Sequence, residues 1–294
     1  MIAFGSVLAD SEAYRRFAEP GIRRAAEPDS AVHVLGAVGT VCRGSNLLLD
    51  VAASHDDLEA LVIVDARTEI ADPGFCGKVR EALGDPEVAV AGPVGARDVG
   101  TIAWWQGEVS SAPVVHRYYE HGGGDMDGYG WARGGAPLGE VDALSGFLLV
   151  LSPWAVRTLR FDEALSTGHG HDVDVCLQAR AAGRKVVTTD LRTIHHRPLE
   201  LIEDLELWVE GHIDVADKWD GRWPGRAGAT DDWQRRARRA EAEREAARTV
   251  AYSSALRLDA EVLVLERELA EMTDSLSWRV TAPLRWLNRV RRGG

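Results

Sequence analysis

Residues 168–174 read Gly-His-Gly-His-Asp-Val-Asp, and residues 195 and 196 are both histidine. Imidazoles and carboxylates at this density suit proton transfer, metal ligation or phosphate binding. A hydrophobic core has no need of them. Asp172 and Asp174 stand where a helix should begin, ahead of Val175, Leu177 and Ala179. Acids in a first turn complement the positive end of a helix, so local structure alone accounts for one or both. The functional alternative is that one carboxylate faces a cleft as a general base, within hydrogen-bond reach of the proton it takes. His195 and His196 close "KVVTTDLRTIHH", which reads as a single strand. Strand side chains alternate, so only one of the pair points into a given site. A neutral imidazole there suits a divalent metal or a phosphate.

These residues need a frame to hold them. "MIAFGSVL", "AVHVLGAV", "LEALVIVDA" and "EVAVAGPVG" read as strands. Between them, "SEAYRRFAEPGIRRAAE", broken or restarted at Pro20, "GSNLLLDVAAS" and "PGFCGKVREALGD" read as helices. The alternation predicts a mostly parallel sheet with helices on both faces. "LVIV" is apolar throughout, as a strand buried on both sides should be. Ligands of such sheets bind at the carboxyl ends of the strands, which singles out Asp65. Residues 107–140 break the rhythm. "YYEHGGGDMDGYGWARGGAPLGE" reads as a long Gly- and aromatic-rich loop, the kind that serves as a lid or binding loop.

The 294 residues suffice for one large or two ordinary domains, and 45% are hydrophobic. A net charge of −12 argues against nucleic acid as a partner. Cys42, Cys76 and Cys176 form neither a CxxC pair nor a disulfide ladder, as expected of a reducing cytosol. "MIAFGSVLAD" has no basic leader, and "GFLLVLSPWAV" is too short to span a bilayer. The expectation is a cytoplasmic protein.

The character changes after about residue 225. Residues 226–274 read as a long helix or short coiled coil. Leu258, Val262, Leu265, Leu269, Met272 and Leu276 step by four and three as an a/d seam, so 256–276 could self-associate or pack on its own domain. In 275–294, arginines alternate with Trp278, Trp286 and aliphatics, with no acid. Such a basic amphipathic tail fits a peripheral contact at the inner membrane face through 275–292, or a helix docked on the domain.

Taken together, Gly170, His171, Asp172, Asp174, Cys176, Leu177, Ala179, Arg180 and Gly183, followed by a strand ending in His195–His196, resemble the family 2 glycosyltransferases of the GT-A fold. "CRGSNLLLD" and "VDALSGFLLVLSPWAVRTLRFDE" are similar to further family segments, and the likeness covers roughly residues 1–222. The resemblance implies a GT-A-like, Rossmann-related domain over 1–225 with a C-terminal helical extension. It implies a nucleotide-sugar donor, a saccharide or lipid-linked acceptor, and inverting transfer in cell-envelope or exopolysaccharide synthesis. Asp172 would be the base. Asn46, Asp65 and Arg67 would bind the donor. Tyr129, Trp131 and Asp174 would serve the acceptor side, Asp174 also supporting the helix start. His195 or His196 would help hold Mn²⁺ or Mg²⁺, or the diphosphate.

One departure matters. The family carries an acidic cluster at the end of the strand holding Asp65, and its last acid binds the metal. Here the sequence is Asp65-Ala66-Arg67. A guanidinium cannot ligate a hard cation, but it matches phosphate geometry. Either transfer proceeds without metal, or the chain is a catalytically degenerate scaffold for a partner transferase.

Overall fold

The computed structural model describes residues 1–118, 124–127, 135–165, 167–196, 204–223, 232–275, 278 and 280. Tyr129, Trp131 and the tail beyond Val280 lie outside them.

The fold is mixed α/β, with sheets flanked by helices. Its centre is a six-stranded sheet in the order β12-β5-β11-β3-β1-β2. The strands are β1 (Ile2–Leu8), β2 (Ala31–Gly36), β3 (Ala60–Val64), β5 (Val88–Gly92), β11 (Leu148–Leu151) and β12 (Lys185–Thr188). β2 and β3 run parallel to β1, and β12 runs parallel to β5. β11 runs antiparallel between β3 and β5. β3, β5 and β11 are buried throughout, which is why they read as unbroken apolar runs rather than alternating ones.

Two small sheets complete the molecule. One orders β10 (Ala143–Leu144), β6 (Val94–Arg97) and β7 (Glu108–Ser111). The other orders β4 (Thr68–Ile70), β13 (Thr193–His196), β8 (Val114–Tyr118) and β9 (Gly124–Asp127). Two expectations are corrected by these sheets. The segment 107–140 is not one long loop, because β7, β8 and β9 fall within it. Nor is "KVVTTDLRTIHH" one strand: β12 closes the central sheet, the chain turns through 189–192, and β13 joins the second small sheet. Both errors share a cause. Period-2 patterning shows that a stretch is extended, not which sheet it joins.

The helices follow their local chemistry. α1 (Ser11–Ala13), a π-helical turn (Tyr14–Ala18) and α2 (Glu19–Ala25) run on without a break. The wider turn lies just upstream of Pro20, which lacks an N–H and would crowd the carbonyl four residues back in an ordinary helix. Asp10 caps α1 by accepting from the N–H groups of Glu12 and Ala13. α3 (Val41–Ala53) is capped by Thr40 and buries Cys42, Ser45, Leu48, Leu49 and Ala52, one face at helical spacing. α4 (Phe75–Ala82) and α5 (Pro153–Thr158) follow, the latter with Ser152 as N-cap and Pro153 in its first turn.

α6 (His171–Ala181) carries the acids, and α7 (Leu205–Lys218) packs against α8 (Asp232–Asp274). α8 has 43 residues, a span of roughly 65 Å at ~1.5 Å per residue. Leu258, Val262, Leu265, Leu269 and Met272 are all exposed along it. No helix among the described residues is long and apolar enough to cross a membrane.

Asn46 corrects a donor-site expectation. Its Nδ2 donates to the Phe161 carbonyl (2.9 Å) and to Glu163 Oε1 (3.1 Å), while its Oδ1 accepts the Phe161 N–H (2.9 Å). The amide ties α3 to the segment after α5, and Asn46 does not line the cavity described below. Asn46→Ala is expected to lower stability by about 1–3 kcal/mol, because buried backbone groups at Phe161 lose their partner. Urea unfolding checks this, and an unchanged midpoint would remove the clamp.

Candidate active site

A cavity of about 740 Å³ opens at the carboxyl ends of β1, β2 and β3. Val7–Asp10, Ala37–Val41 and Ile63–Arg67, which follow those strands, form one wall. The position is where an open α/β sheet offers polar backbone ends and converging loops. The rest of the lining includes Ile102, Trp104 and Trp105, residues 167–172, and Asp204, Leu207 and Trp208. Asp65, Arg67, His171, Asp172 and His195 therefore border one space.

The Asp172 carboxylate is fixed by two backbone donors. Gly146 N–H reaches Oδ2 at 2.8 Å and Val173 N–H reaches Oδ1 at 2.9 Å. Gly146 has to be glycine: a Cβ there would meet the Asp172 Cβ at 2.9 Å. Gly170, at the N-cap of α6, has φ +78°, a left-handed conformation that glycine adopts without strain. The helix closes with Gly183 at φ +73°, its N–H bonded to the Arg180 carbonyl. Next to Asp172, His171 Nδ1–H donates to the Gly168 carbonyl at 3.0 Å. That tautomer leaves Nε2 as an acceptor.

Asp174 stands apart from Asp172 and corrects the acceptor-site expectation. It is 0% exposed. Its oxygens accept from Trp219 Nε1 (2.8 Å), Gln178 Nε2 (2.8 Å) and Lys218 Nζ (2.9 Å). Lys218 also pairs with Asp162 at 2.7 Å. Burial works against the Lys218 charge, but the hydrogen bonds to Asp162 and Asp174 raise its pKa above the usual lysine value. No saccharide reaches Asp174; it joins the first turn of α6 to the end of α7. Arg180, also in the motif, forms an ion pair with Asp142.

The two histidines part as strand alternation requires. His195 faces the cavity and stacks on Phe147, with ring centroids 4.7 Å apart and His116 beyond at 5.9 Å. His196 turns the other way, is 4% exposed, stacks on Phe17 at 4.0 Å and bonds Glu69 Oε2 at 2.9 Å. It does not reach the cavity, which corrects its assignment as a metal ligand there. Glu69 also pairs with Arg24 at 2.6 Å.

At the strand tip, Asp65 Oδ1 accepts the Arg67 N–H at 2.9 Å, and the Arg67 guanidinium lies 3.8 Å from Asp10. Among the described residues no three His, Cys, Asp or Glu side chains come together to hold a metal ion. A divalent cation at this strand tip would find one carboxylate, Asp65, with the Arg67 guanidinium two residues on.

Trp104, Trp105 and Trp208 also line the cavity, and no role is expected of them from sequence. The adjacent pair in "IAWWQGEV" is a visible signal in the sequence, but a tryptophan pair serves a core as readily as a site.

Burial lowers the His196 pKa below 6.5, against the pull of Glu69. Burial alone would raise Glu69, but hydrogen bonds from His196 and Arg24 hold it below 4.5. Both shifts mean that the unfolded chain takes up more protons on acidification. Stability should therefore fall as pH drops below about 6.5, and fall further below about 4.5. Urea unfolding between pH 8 and pH 4 measures this. In His196→Phe, which keeps the stack on Phe17, the first part of the fall should shrink; a wild-type midpoint that rises on acidification would contradict the arrangement.

No family model matches the chain. The streptomycin biosynthesis protein StrF of Streptomyces griseus is 26% identical over 222 residues, covering 72% of this chain and 73% of StrF. Among solved structures, the mannosyltransferase PcManGT from Pyrobaculum calidifontis, in complex with GDP-mannose and Mn²⁺, is 13% identical with a TM-score of 0.45, covering 95% of this chain and 82% of that one. A glycosyltransferase involved in glycosylation of the major capsid of PBCV-1 is 10% identical with a TM-score of 0.31, covering 72% of this chain and 90% of that one.

Proposed function

We propose that the chain is a GT-A-like glycosyltransferase that moves a sugar from a nucleotide-sugar donor to a hydroxyl of a saccharide or lipid-linked acceptor, with inversion. The observation that carries this reading is the placement of Asp172, on α6, in the same cavity as Asp65 and Arg67, at the tip of β3. A carboxylate and a guanidinium that line one cavity can serve the acceptor hydroxyl and the donor diphosphate respectively.

In this mechanism the donor diphosphate lies against Arg67, whose fork of N–H donors matches phosphate oxygens. Asp65, through its bond to the Arg67 N–H, shapes the turn that presents it. The acceptor hydroxyl gives its proton to Asp172. Its oxygen bonds to the anomeric carbon as the bond from that carbon to the diphosphate oxygen breaks, and the nucleoside diphosphate leaves with the bonding electrons. The Gly146 N–H holds Asp172 in one orientation throughout. No step is routed through a metal.

The resemblance points to acceptors of the cell envelope or an exopolysaccharide, with cytoplasmic action and a peripheral membrane contact through 275–292. Self-association through 256–276 would use the exposed stripe of α8. The second reading, a degenerate scaffold that docks a partner transferase, is favoured by Arg67 and by that same stripe.

Purified protein assayed with UDP-, GDP- and dTDP-sugars, with and without Mn²⁺, separates the two. Donor hydrolysis or transfer that survives EDTA supports the first; failure of every donor to bind or turn over supports the second. Asp172→Asn should cut turnover by about 10²–10⁴-fold and leave donor affinity unchanged, whereas equal turnover would remove Asp172 from its role. Arg67→Ala should weaken donor binding by roughly ten- to a hundredfold, with no rescue by Mn²⁺. Full rescue by Mn²⁺ would mean that a cation, not the guanidinium, meets the diphosphate.

A further inference from the structure

Part of the cavity lining is aromatic: Trp104, Trp105 and Trp208. Trp104 is buried and meets Trp105 in a T-shaped pair, with centroids 5.8 Å apart at 81°. Trp208, 3% exposed, meets Trp105 from α7 at 6.4 Å and 37°. Trp105 is therefore held by two neighbours while it remains only half-buried and lines the cavity. A core tryptophan would be covered. Held by two rings and still partly exposed in the cavity, Trp105 is a platform that loses little conformational freedom when something settles on it.

The same packing sets the platform beside the base. A Cβ on Gly170 would strike Ile102 Cγ2 and Val215 Cγ2, both at 2.7 Å. The segment carrying Trp105 and the helix carrying Trp208 thus both press on the N-cap of α6, two residues before Asp172. Gly211 repeats the arrangement: a Cβ there would lie 2.9 Å from the His169 Cβ. These contacts make one unit of the aromatic wall and the first turn of α6.

We propose that Trp105, backed by Trp104 and Trp208, is the stacking platform for the acceptor sugar, and that the acceptor is a saccharide ring rather than a simple alcohol or a lipid chain. This rests on the transferase reading and adds the acceptor side of it. A sugar ring has an apolar C–H face suited to an aromatic surface, and hydroxyls suited to the carboxylates and imidazoles that share the cavity. A lipid chain would leave Asp172, His169 and His171 facing hydrocarbon, an unfavourable burial. Tyr129 and Trp131, expected on the acceptor side, lie outside the described residues; the platform rests on Trp105 alone.

The test separates this inference from the transferase reading. Saturation-transfer NMR on the full chain, with no donor present, uses cellobiose, N,N′-diacetylchitobiose and methyl α-mannoside as probes, and decanol for the apolar alternative. At least one sugar should bind, with saturation concentrated on its ring C–H protons. Trp105→Ala should weaken that binding about tenfold or more, and Trp105→Phe should restore most of it. UDP and GDP binding should be the same in all three proteins. In turnover assays with both substrates Trp105→Ala should raise the acceptor KM by a larger factor than it changes the donor KM. Sugar binding that is identical in Trp105→Ala, binding of decanol alone, or loss of nucleotide binding in Trp105→Ala would each overturn the platform. Absence of any donor turnover in the wild type would instead overturn the transferase reading, while Trp105-dependent sugar binding stood.

Discussion

The hydrogen bond from the Gly146 N–H to Asp172 is the constraint on which the site depends. It links residues 26 apart in sequence. One end lies between β10 and β11 and the other in the first turn of α6. A carboxylate on a helix terminus can rotate toward solvent, toward its own N–H groups or toward a neighbour. Here the backbone of the sheet sets its direction, and the small size of Gly146 lets the two chains approach closely enough for that. The cost of choosing an orientation is met during folding rather than during reaction, as preorganised catalytic groups require. Gly170 and Gly211 extend the same device outward. Each removes a side chain where two segments must touch, and together they seat α6 against the tryptophan segment and α7.

Asp172 and Asp174 show how two chemically identical groups on one helical turn are given different work. Successive helical positions point about 100° apart, so residues two apart face nearly opposite ways. Asp172 turns to the cavity and meets backbone donors. Asp174 turns inward and meets Lys218, Trp219 and Gln178. A fully buried carboxylate without such partners would be costly, and this one has a charged partner and two neutral donors. It fastens the end of α7 beneath the first turn of α6. Trp208, ten residues before Lys218, is held in the aromatic wall by the same attachment.

Much of the frame was legible from residues alone. β1, β2, β3, β5 and α3 announce themselves through apolar runs and helical spacing, and the position of Asp65 at a strand end followed from that. What was not legible depends on partners distant in sequence. Asn46 looks like a ligand-binding amide until Phe161 is seen to use both of its ends. His196 looks equivalent to His195 until β13 is placed between β4 and β8, which sends the two rings to opposite faces. The strands inside 107–140 were hidden because glycine and aromatics suit both a lid and a small, strongly turned sheet. Trp105 was overlooked because its type predicts burial, and only its half-open setting beside Asp172 distinguishes it. Local pattern reports conformation; site membership is a property of packing.

The charge balance of the cavity explains why Arg67 matters more than its position in a motif suggests. Among the described lining residues, Asp10, Asp65, Asp172 and Asp204 bring carboxylates, and Arg67 is the single Lys or Arg. A diphosphate entering such a space meets mostly like charge, so the one guanidinium governs its approach. Arg67 stands 3.8 Å from Asp10, and both side chains are partly exposed. An exposed ion pair at that distance contributes little, so exchanging Asp10 for a two-pronged contact with phosphate is favourable. In the proposed donor complex Asp10 is then a placeholder that keeps the guanidinium over the cavity until a better anion arrives. Its other carboxylate oxygen, which caps α1, keeps that placeholder in position.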